Sequence, residues 1–393
     1  GLSRVSCAPV LLPGNNFKAP TIQEDLHLPI SLFRKAMLVG AGITLALSVQ
    51  AAPTVHIYNW SDYIGPNTIK DFEKETGIKV RYDVYDSNEV LQAKILTGRS
   101  GYDIVVPTNA FLAKQIQAGV YQPLDKSKIS NYGNLDPAIM QQMDKFDAGN
   151  KFAVPYFYGI NTLGINVAKV KAALGNEPMP ANEWDLLFNE KYSSKLKSCG
   201  ISVLDSPAEA LPIALHYLGK NPNTTDEADW RAAADLYKKV RPNITRFSSS
   251  GYINEFANGS LCVSLGYGGD LNIARTRAAE AKRKIELQVL APKTGVMLWM
   301  DSMVIPKDAK NVENAHLFIN YILRPKVHAD AANTVHYAVP NKPAQALVSE
   351  ADRKNPSIYL SPEVQKASFV QLPLDSKIQR LQTRLWTEIK TRK

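Results

Sequence analysis

The segment Val55–Val80 constrains the fold more than any other part of the chain. Val55–Trp60 has the alternating, β-branched and aromatic character of a strand, and it ends at the polar turn Trp60–Tyr63. Pro66 suits the first turn of a helix, and Gly77 suits a left-handed helix end before a second strand begins. This strand–helix–strand order predicts a mainly parallel sheet. Ligands of such sheets bind beyond the carboxyl ends of the strands, which is where the turn lies.

The turn itself permits two interpretations. Trp60 and Tyr63 flank the carboxylate of Asp62, and aromatic faces attract ammonium groups, so the turn could cradle an organic cation. Alternatively, the two rings belong to the core and Asp62 is an acid at a helix N-terminus. The turn alone does not decide between them.

The chain continues as alternating helices and strands, which predicts an α/β fold. Ser87 is expected to cap a helix whose inward side chains are Val90, Leu91 and Ile95, and Tyr102–Val106 is apolar enough to be a buried strand. Further along the chain the same order of elements recurs. The sequence therefore predicts a second α/β region.

Two features indicate how these regions are arranged. Lys151–Val167 is long, nearly uncharged and extended, which favours buried strands that cross between two lobes. Four acids each follow a predicted strand end, and Thr108 follows another. Any one acid could be a helix cap or a surface residue, but their recurrence at one sheet edge favours a shared pocket. These acids are Asp62, Glu209, Asp270 and Asp301.

Several functional classes find no support in the sequence. The formal net charge is +9, but the basic residues are spread, and their densest cluster, Arg275–Lys284, has no interleaved aromatic residue, so nucleic-acid binding is not predicted. HExxH, CxxC and Walker A motifs are absent, and the six histidines lack metal-ligand spacing. Cys262–Gly266 lacks the first glycine of a nucleophile elbow. We therefore predict no enzyme, metal or cofactor, although a dispersed active site would escape this search.

The N-terminal region has the composition of a targeting segment. Arg34 and Lys35 precede an apolar run, Met37–Val49, and small residues follow it before Ala52. This order is typical of a cleaved signal peptide, and the run is too short to span a bilayer comfortably. We therefore predict that residues 1–51 are an upstream extension plus signal peptide.

The cysteines fit an exported protein. Cys7 lies in the predicted leader, which leaves Cys199 and Cys262. An even pair in an oxidising compartment suggests a disulfide. Two buried free thiols are the alternative.

Most of the chain from Val55 onward resembles the periplasmic polyamine-binding proteins of bacterial ABC importers, above all the putrescine-binding type. The resemblance rests on long segments: IYNWSDYI, FEKETGIKV, YDVYDSNEVLQAK, YDIVVP, AGVYQPLDKSK, KLKSCG, RPNI and YINEFANG. It implies the two-lobed, type II periplasmic-binding-protein fold, in which each lobe is a mixed sheet flanked by helices and crossing strands form the hinge. Residues 54–157 and 288–326 would form lobe 1, and residues 158–287 and 327–393 lobe 2. It also implies the Cys199–Cys262 bridge.

The resemblance further implies a set of ligand-binding residues. Thr108 stands where a serine is usual, Tyr267 where a tryptophan is usual, and Trp299 where a phenylalanine is usual. Since tryptophan at the last position is more like the spermidine-binding relatives, the preference between putrescine and spermidine stays open. The implied residues are Trp60, Ser61, Asp62, Tyr63, Thr108, Glu209, Tyr267, Asp270, Trp299, Asp301 and Tyr337.

The function that the resemblance implies is a periplasmic receptor. It would capture polyamines by lobe closure and deliver them to the inner-membrane permease of an ABC importer, acting as a monomer without a nucleic-acid partner. Three alternatives remain: a receptor of the same fold for another small cationic or neutral solute, a secreted hydrolase, and a sensor that contacts a membrane protein.

Overall fold

The structure, a computed structural model, describes residues 51–391. The predicted leader of residues 1–51 lies, apart from Ala51, outside these residues. The strands are β1 (Thr54–Trp60), β2 (Lys79–Tyr85), β3 (Ile104–Val105), β4 (Tyr121–Gln122), β5 (Val154–Asn166), β6 (Ile201–Val203), β7 (Arg246–Phe247), β8 (Val263–Tyr267), β9 (Leu287–Val289), β10 (Met297–Met303), β11 (Ile305–Pro306) and β12 (Phe369–Val370).

Helices surround these strands. They are α1 (Thr68–Thr76), α2 (Asn88–Ile95), α3 (Asn109–Gln117), α4 (Pro137–Met143), α5 (Val167–Leu174), α6 (Asp185–Phe188), α7 (Glu190–Leu196), α8 (Pro207–Tyr217), α9 (Glu227–Val240), α10 (Tyr252–Ala257), α11 (Gly268–Glu280), α12 (Val312–Ile322), α13 (Pro325–Val335), α14 (Lys342–Gln345), α15 (Glu350–Arg353), α16 (Pro362–Ala367) and α17 (Ser376–Thr391). None of those between residues 51 and 391 has the length and apolar character needed to cross a bilayer.

The strands form two main sheets, each with helices packed on it. In the smaller sheet, β1 lies between β2 and β3 and pairs with both in parallel, as the opening segment predicts. The larger sheet has the order β12-β10-β5-β8-β6-β7, with β9 also paired to β5. It is mixed, because β5 runs antiparallel to β8, β9 and β10. This is the predicted α/β architecture with two lobes.

Strands β5 and β10 connect the two hydrophobic cores. Val154 and Phe157 at the start of β5 pack in one core, whereas Leu163 near its end packs in the other. In β10 the order is reversed, since Met297 packs in the second core and Met303 in the first. The uncharged segment read from the sequence as buried crossing strands therefore carries the chain between the lobes.

Helix α2 begins and faces the core almost as predicted. The Ser87 Oγ accepts a hydrogen bond from the Val90 backbone N–H at 3.2 Å, which is a standard N-cap. Leu91 and Ile95 are buried, but Val90 is 46% exposed, so its predicted inward placement is wrong. Residues four apart share one helix face, whereas Val90 lies about 100° around the helix from Leu91.

A second difference concerns Asp301. The sequence places it after a strand end, but β10 continues through it to Met303. The pairing of β10 with β5 shifts register between Asp301 and Ser302, and such an irregularity changes the direction of side chains locally.

Cys199 and Cys262 are joined by the predicted disulfide, with Cα atoms 5.5 Å apart.

Candidate ligand-binding site

A narrow cavity lies where the two sheets meet the crossing strands. The empty space in the cavity and its opening to solvent is about 370 Å³. All the predicted site residues except Asp62 line it. The lining consists of Trp60, Ser61, Tyr63, Asp86, Thr108, Glu209, Ser249, Tyr267, Asp270, Trp299, Asp301 and Tyr337.

Most of these residues are placed by strand ends and helix starts. Trp60 ends β1, Thr108 is the N-cap residue of α3, and Glu209 lies in the first turn of α8. Tyr267 ends β8, and Asp270 lies in the first turn of α11. Because parallel strands bring their carboxyl ends to one edge, residues distant in sequence meet in one cavity.

Asp301 is held by two hydroxyl groups. The Thr108 Oγ1 donates to one carboxylate oxygen at 2.7 Å, and the Tyr63 hydroxyl donates to the other at 2.9 Å. Burial raises the pKa of Asp301 to about 7, while these two donors act in the opposite direction. The side chain is fixed in orientation, and a cation bound beside it would favour its ionised form, with the proton released to solvent.

Asp270 has a different set of neighbours. Its carboxylate accepts a hydrogen bond from the Tyr252 hydroxyl at 2.8 Å, and its backbone N–H donates to the Tyr337 hydroxyl oxygen at 3.3 Å. Burial raises the pKa of Asp270 to about 8. A cationic ligand would supply a charge partner for this buried carboxyl group.

Glu209 is oriented by two amide side chains. Asn88 donates to one carboxylate oxygen at 3.3 Å, and Asn161 donates to the other. The Asn161 carbonyl oxygen in turn accepts from the Trp299 indole N–H at 2.9 Å. Burial raises the pKa of Glu209 to about 8, and the nearby carboxylate of Glu89 adds to this shift.

Aromatic rings form the walls between these acids. Trp299 and Tyr337 have ring centroids 5.0 Å apart, and Tyr63 and Tyr337 lie 5.4 Å apart and nearly perpendicular. Trp60 meets Tyr267 edge to face at 5.6 Å. Ring faces attract cations and also cover methylene groups. The geometry suits a slender molecule with an apolar middle and positive ends.

Asp62 does not line this cavity. Its backbone is left-handed, with φ of 54°, and its carboxylate accepts a hydrogen bond from the Arg277 guanidinium at 2.7 Å. Arg277 extends from α11, so this ion pair lies between the β1 turn and the helix that carries Asp270. The predicted contact of Asp62 with ligand stays a prediction.

Sequence reasoning missed several members of the site. Asp86 directly follows β2, so the strand-end rule that selects Asp62 would also have selected it. Ser249 follows the two-residue strand β7, which the sequence does not reveal. Asn88 and Asn161 give no signal, because uncharged amides occur at many helix starts and strands. Among residues 51–391 no group of His, Cys, Asp and Glu could hold a metal ion.

Comparison with known proteins agrees with this geometry. The family model described as bacterial extracellular solute-binding protein matches residues 67–359, about three quarters of the chain. The chain belongs to this family. It is therefore a binding protein of the transport type and not an enzyme.

Individual relatives cover nearly the whole of this solute-binding protein. The putrescine-binding periplasmic protein SpuD of Pseudomonas aeruginosa is 50% identical over 92% of this chain and 99% of its own length. The putrescine-binding periplasmic protein PotF of Escherichia coli is 48% identical over 91% and 97%. Among solved structures, a putative spermidine/putrescine ABC transporter from Listeria monocytogenes superposes with a TM-score of 0.76 at 34% identity, covering 86% of this chain and 99% of that one.

Proposed function

We propose that this solute-binding protein captures a polyamine, putrescine or spermidine, in the cavity between its lobes and delivers it to an ABC importer. The observation that carries the proposal is the composition of the cavity wall. Four carboxyl side chains and five aromatic rings line it, and none of its lining residues in the described part of the chain is a lysine, arginine or histidine. The wall therefore disfavours anionic solutes and favours cations with an apolar chain.

Within this proposal, the acids divide between the two ends of the ligand. Asp270 and Asp301 would hold one ammonium group, and Glu209 would take the other end together with Ser61 and Asp62, partly through water. The rings would enclose the methylene groups. A charge-assisted hydrogen bond contributes roughly 1.5–3 kcal/mol, and a cation over a ring roughly 0.5–2 kcal/mol. A few of each suffice for a micromolar site, which needs about −8 kcal/mol.

Transport would follow from closure of the lobes. We propose lobe boundaries at residues 54–157 and 288–326 for lobe 1 and 158–287 and 327–393 for lobe 2. The relatives are named as periplasmic binding proteins and, for the solved structure, as an ABC transporter. These names support a periplasmic location and an ABC permease as partner. We also propose that a leader is cleaved near Ala52 and that the receptor acts as a monomer.

The ligand preference depends on the rings. Ser61 matches the putrescine type, whereas Trp299 resembles the spermidine-binding relatives. Tyr267 stands where a tryptophan is usual in the putrescine type, which makes that wall smaller. Both ligands therefore belong in the test.

Isothermal titration calorimetry tests the proposal. The protein should first be unfolded and refolded to remove bound amine, then titrated with putrescine, cadaverine, spermidine and spermine. We expect one-to-one binding with a dissociation constant of about micromolar or below for putrescine or spermidine. Absence of heat with all four amines would reject the polyamine assignment and leave a receptor for another small solute.

A further inference from the structure

The start of helix α8 is completed by a residue from another part of the fold. The first N–H groups of a helix have no partner within the helix and are usually satisfied by the side chain of the N-cap residue. Ser206 occupies that position in α8, but its side chain makes no capping hydrogen bond to its own helix. Glu209, in the first turn that follows, is one of the acids of the cavity.

Glu89 supplies the missing cap. The Ser206 hydroxyl lies 2.8 Å and 2.9 Å from the two carboxylate oxygens of Glu89 and donates to them. The Ala208 backbone N–H donates to Glu89 Oε1 at 3.2 Å. Negative charge at a helix N-terminus is favourable, and these contacts compensate in part for the burial of the carboxyl group.

Asn88, the residue next to Glu89, contacts one cavity acid directly and a second one through Thr108. The Asn88 side-chain amide donates to Glu209 at 3.3 Å and to the Thr108 hydroxyl at 2.9 Å. That hydroxyl donates in turn to Asp301. The start of α2 therefore holds both the beginning of α8 and the carboxylate that α8 brings to the cavity.

These contacts connect opposite lobes of the proposed division. Helix α2 lies within residues 54–157 and α8 within residues 158–287, so a hinge motion that opens the cavity would separate Glu89 from Ser206. We propose that Glu89 is a positioning residue that caps α8 across the cleft, so that closure of the lobes completes the helix start and fixes Glu209 against the ligand. This inference rests on the proposed capture by lobe closure.

Glu89 could stabilise the fold in general or stabilise only the closed arrangement of the lobes, and these two roles have different energetic consequences. A residue that merely stabilises the fold contributes equally with and without ligand. A contact formed only between closed lobes contributes to the ligand complex and not to the open, ligand-free protein. Removing it should therefore weaken binding and accelerate ligand release without lowering the melting temperature of the ligand-free protein.

The test uses Glu89→Ala, Glu89→Gln and a control in the same lobe, Glu75→Ala. Glu75 is on α1 and pairs with Arg324, and neither residue lines the cavity. We expect Glu89→Ala to weaken polyamine binding by about 10- to 100-fold, chiefly through faster dissociation, because hydrogen bonds to a charged group are lost. Glu89→Gln should retain part of the affinity, since its amide oxygen still accepts. Ligand-free melting temperatures should match the wild type.

A double-mutant cycle with Ser206→Ala identifies the contact itself. If Glu89 acts through the start of α8, the effects of Glu89→Ala and Ser206→Ala on affinity will be non-additive. Additive effects would overturn the inference, as would wild-type affinity in Glu89→Ala or equal losses of melting temperature with and without ligand. A wild-type protein that binds no polyamine would instead overturn the proposed function, which the titration reveals before any variant is made.

Discussion

Asp270 and Asp62 carry the same carboxylate group in different surroundings. Asp270 is 6% exposed, and among residues 51–391 it has a hydroxyl donor but no basic partner in contact. The Asp62 side chain is 34% exposed and already pairs with Arg277. A buried carboxylate interacts strongly with a cationic ligand because solvent does not screen the two charges, whereas an exposed ion pair contributes only roughly 0–1 kcal/mol of free energy.

We therefore expect Asp270→Asn to weaken polyamine binding by about 100-fold or more. The substitution keeps the size of the side chain and removes the charge that faces the ammonium group. Asp62→Asn should weaken binding by less than about tenfold, because solvent screens the charge that is lost. Calorimetric titration of both variants against the wild type measures the two losses.

Asp62→Asn also serves as the control for net charge, since both variants change it equally. Losing Asp270 should cost more than losing any single ring of the wall, such as Tyr63 in Tyr63→Leu. Unchanged affinity in Asp270→Asn would show that the ammonium group is held elsewhere.

At the scale of residues, the sequence identifies the acidic members of the site more readily than the asparagines. Glu209 and Asp270, which line the cavity, could be found because each follows a predicted strand. Asp86 carries the same signal and was missed. Asn161 could not be found, because its role depends on pairing across three elements that meet only after folding.

At the scale of elements, strands β5 and β10 set the plane of the Trp299 ring. Gly159 on β5 is paired with Trp299 on β10. A Cβ atom at Gly159 would lie 2.7 Å from Trp299 Cζ2 and 2.7 Å from Tyr337 Cδ1. The absence of a side chain there lets both rings lie close to the strand backbone, where they form one wall of the cavity.

We expect Gly159→Ala to weaken polyamine binding by about tenfold or more, because either ring must move into the cavity. Gly133→Ala is the matched control, since a Cβ at that position has no heavy atom within 4 Å among the described residues other than its chain neighbours. Titration calorimetry measures affinity, and near-ultraviolet circular dichroism reports the displaced rings. Equal affinities of the two variants would contradict this role for Gly159.

A second prediction at this scale concerns the disulfide. Cys199 and Cys262 are 63 residues apart and join the end of α7 to the start of β8. Closing a loop of that length restricts the unfolded chain, so we expect Cys199→Ala/Cys262→Ala to lose about 2–4 kcal/mol of unfolding free energy. Urea denaturation measures the loss. Reductant should lower the stability of the wild type but leave the double variant unchanged.

The order of the first strands and helices was predictable because the signals for each lie within a short stretch of sequence. The opening segment contains its own strand, turn and helix signals, and the structure has β1, α1 and β2 in the predicted order, although Pro66 lies two residues before α1 and not in its first turn. The length of β10 was not predictable, because Asp301 interrupts the apolar pattern and pairing with residues distant in sequence, those of β5 among them, carries the strand past it. Local chemistry therefore determines the order of β1, α1 and β2, whereas contacts between residues distant in sequence determine the length of β10.

For the whole molecule, the buried acids couple ligand binding to proton release. With the lobes in contact as the structure has them, burial raises the pKa of Asp301 to about 7 and that of Asp270 and Glu209 to about 8. Unfolded, these groups have pKa values near 4. Between about pH 4 and pH 8 the folded state therefore holds more protons than the unfolded state, so unfolding free energy from these groups falls as pH rises.

A bound polyamine should reverse this trend, because its ammonium groups favour the ionised carboxylates and lower their pKa values. We therefore expect the ligand-induced rise in melting temperature to be larger at pH 8.5 than at pH 6. Affinity should increase with pH by up to about tenfold per unit for each proton released. Thermal denaturation with and without ligand isolates these groups, since acids far from the cavity contribute equally to both curves. Calorimetry at pH 6.5 in buffers of different ionisation enthalpy counts the released protons, and a count of zero would mean that the acids are already ionised before the ligand binds.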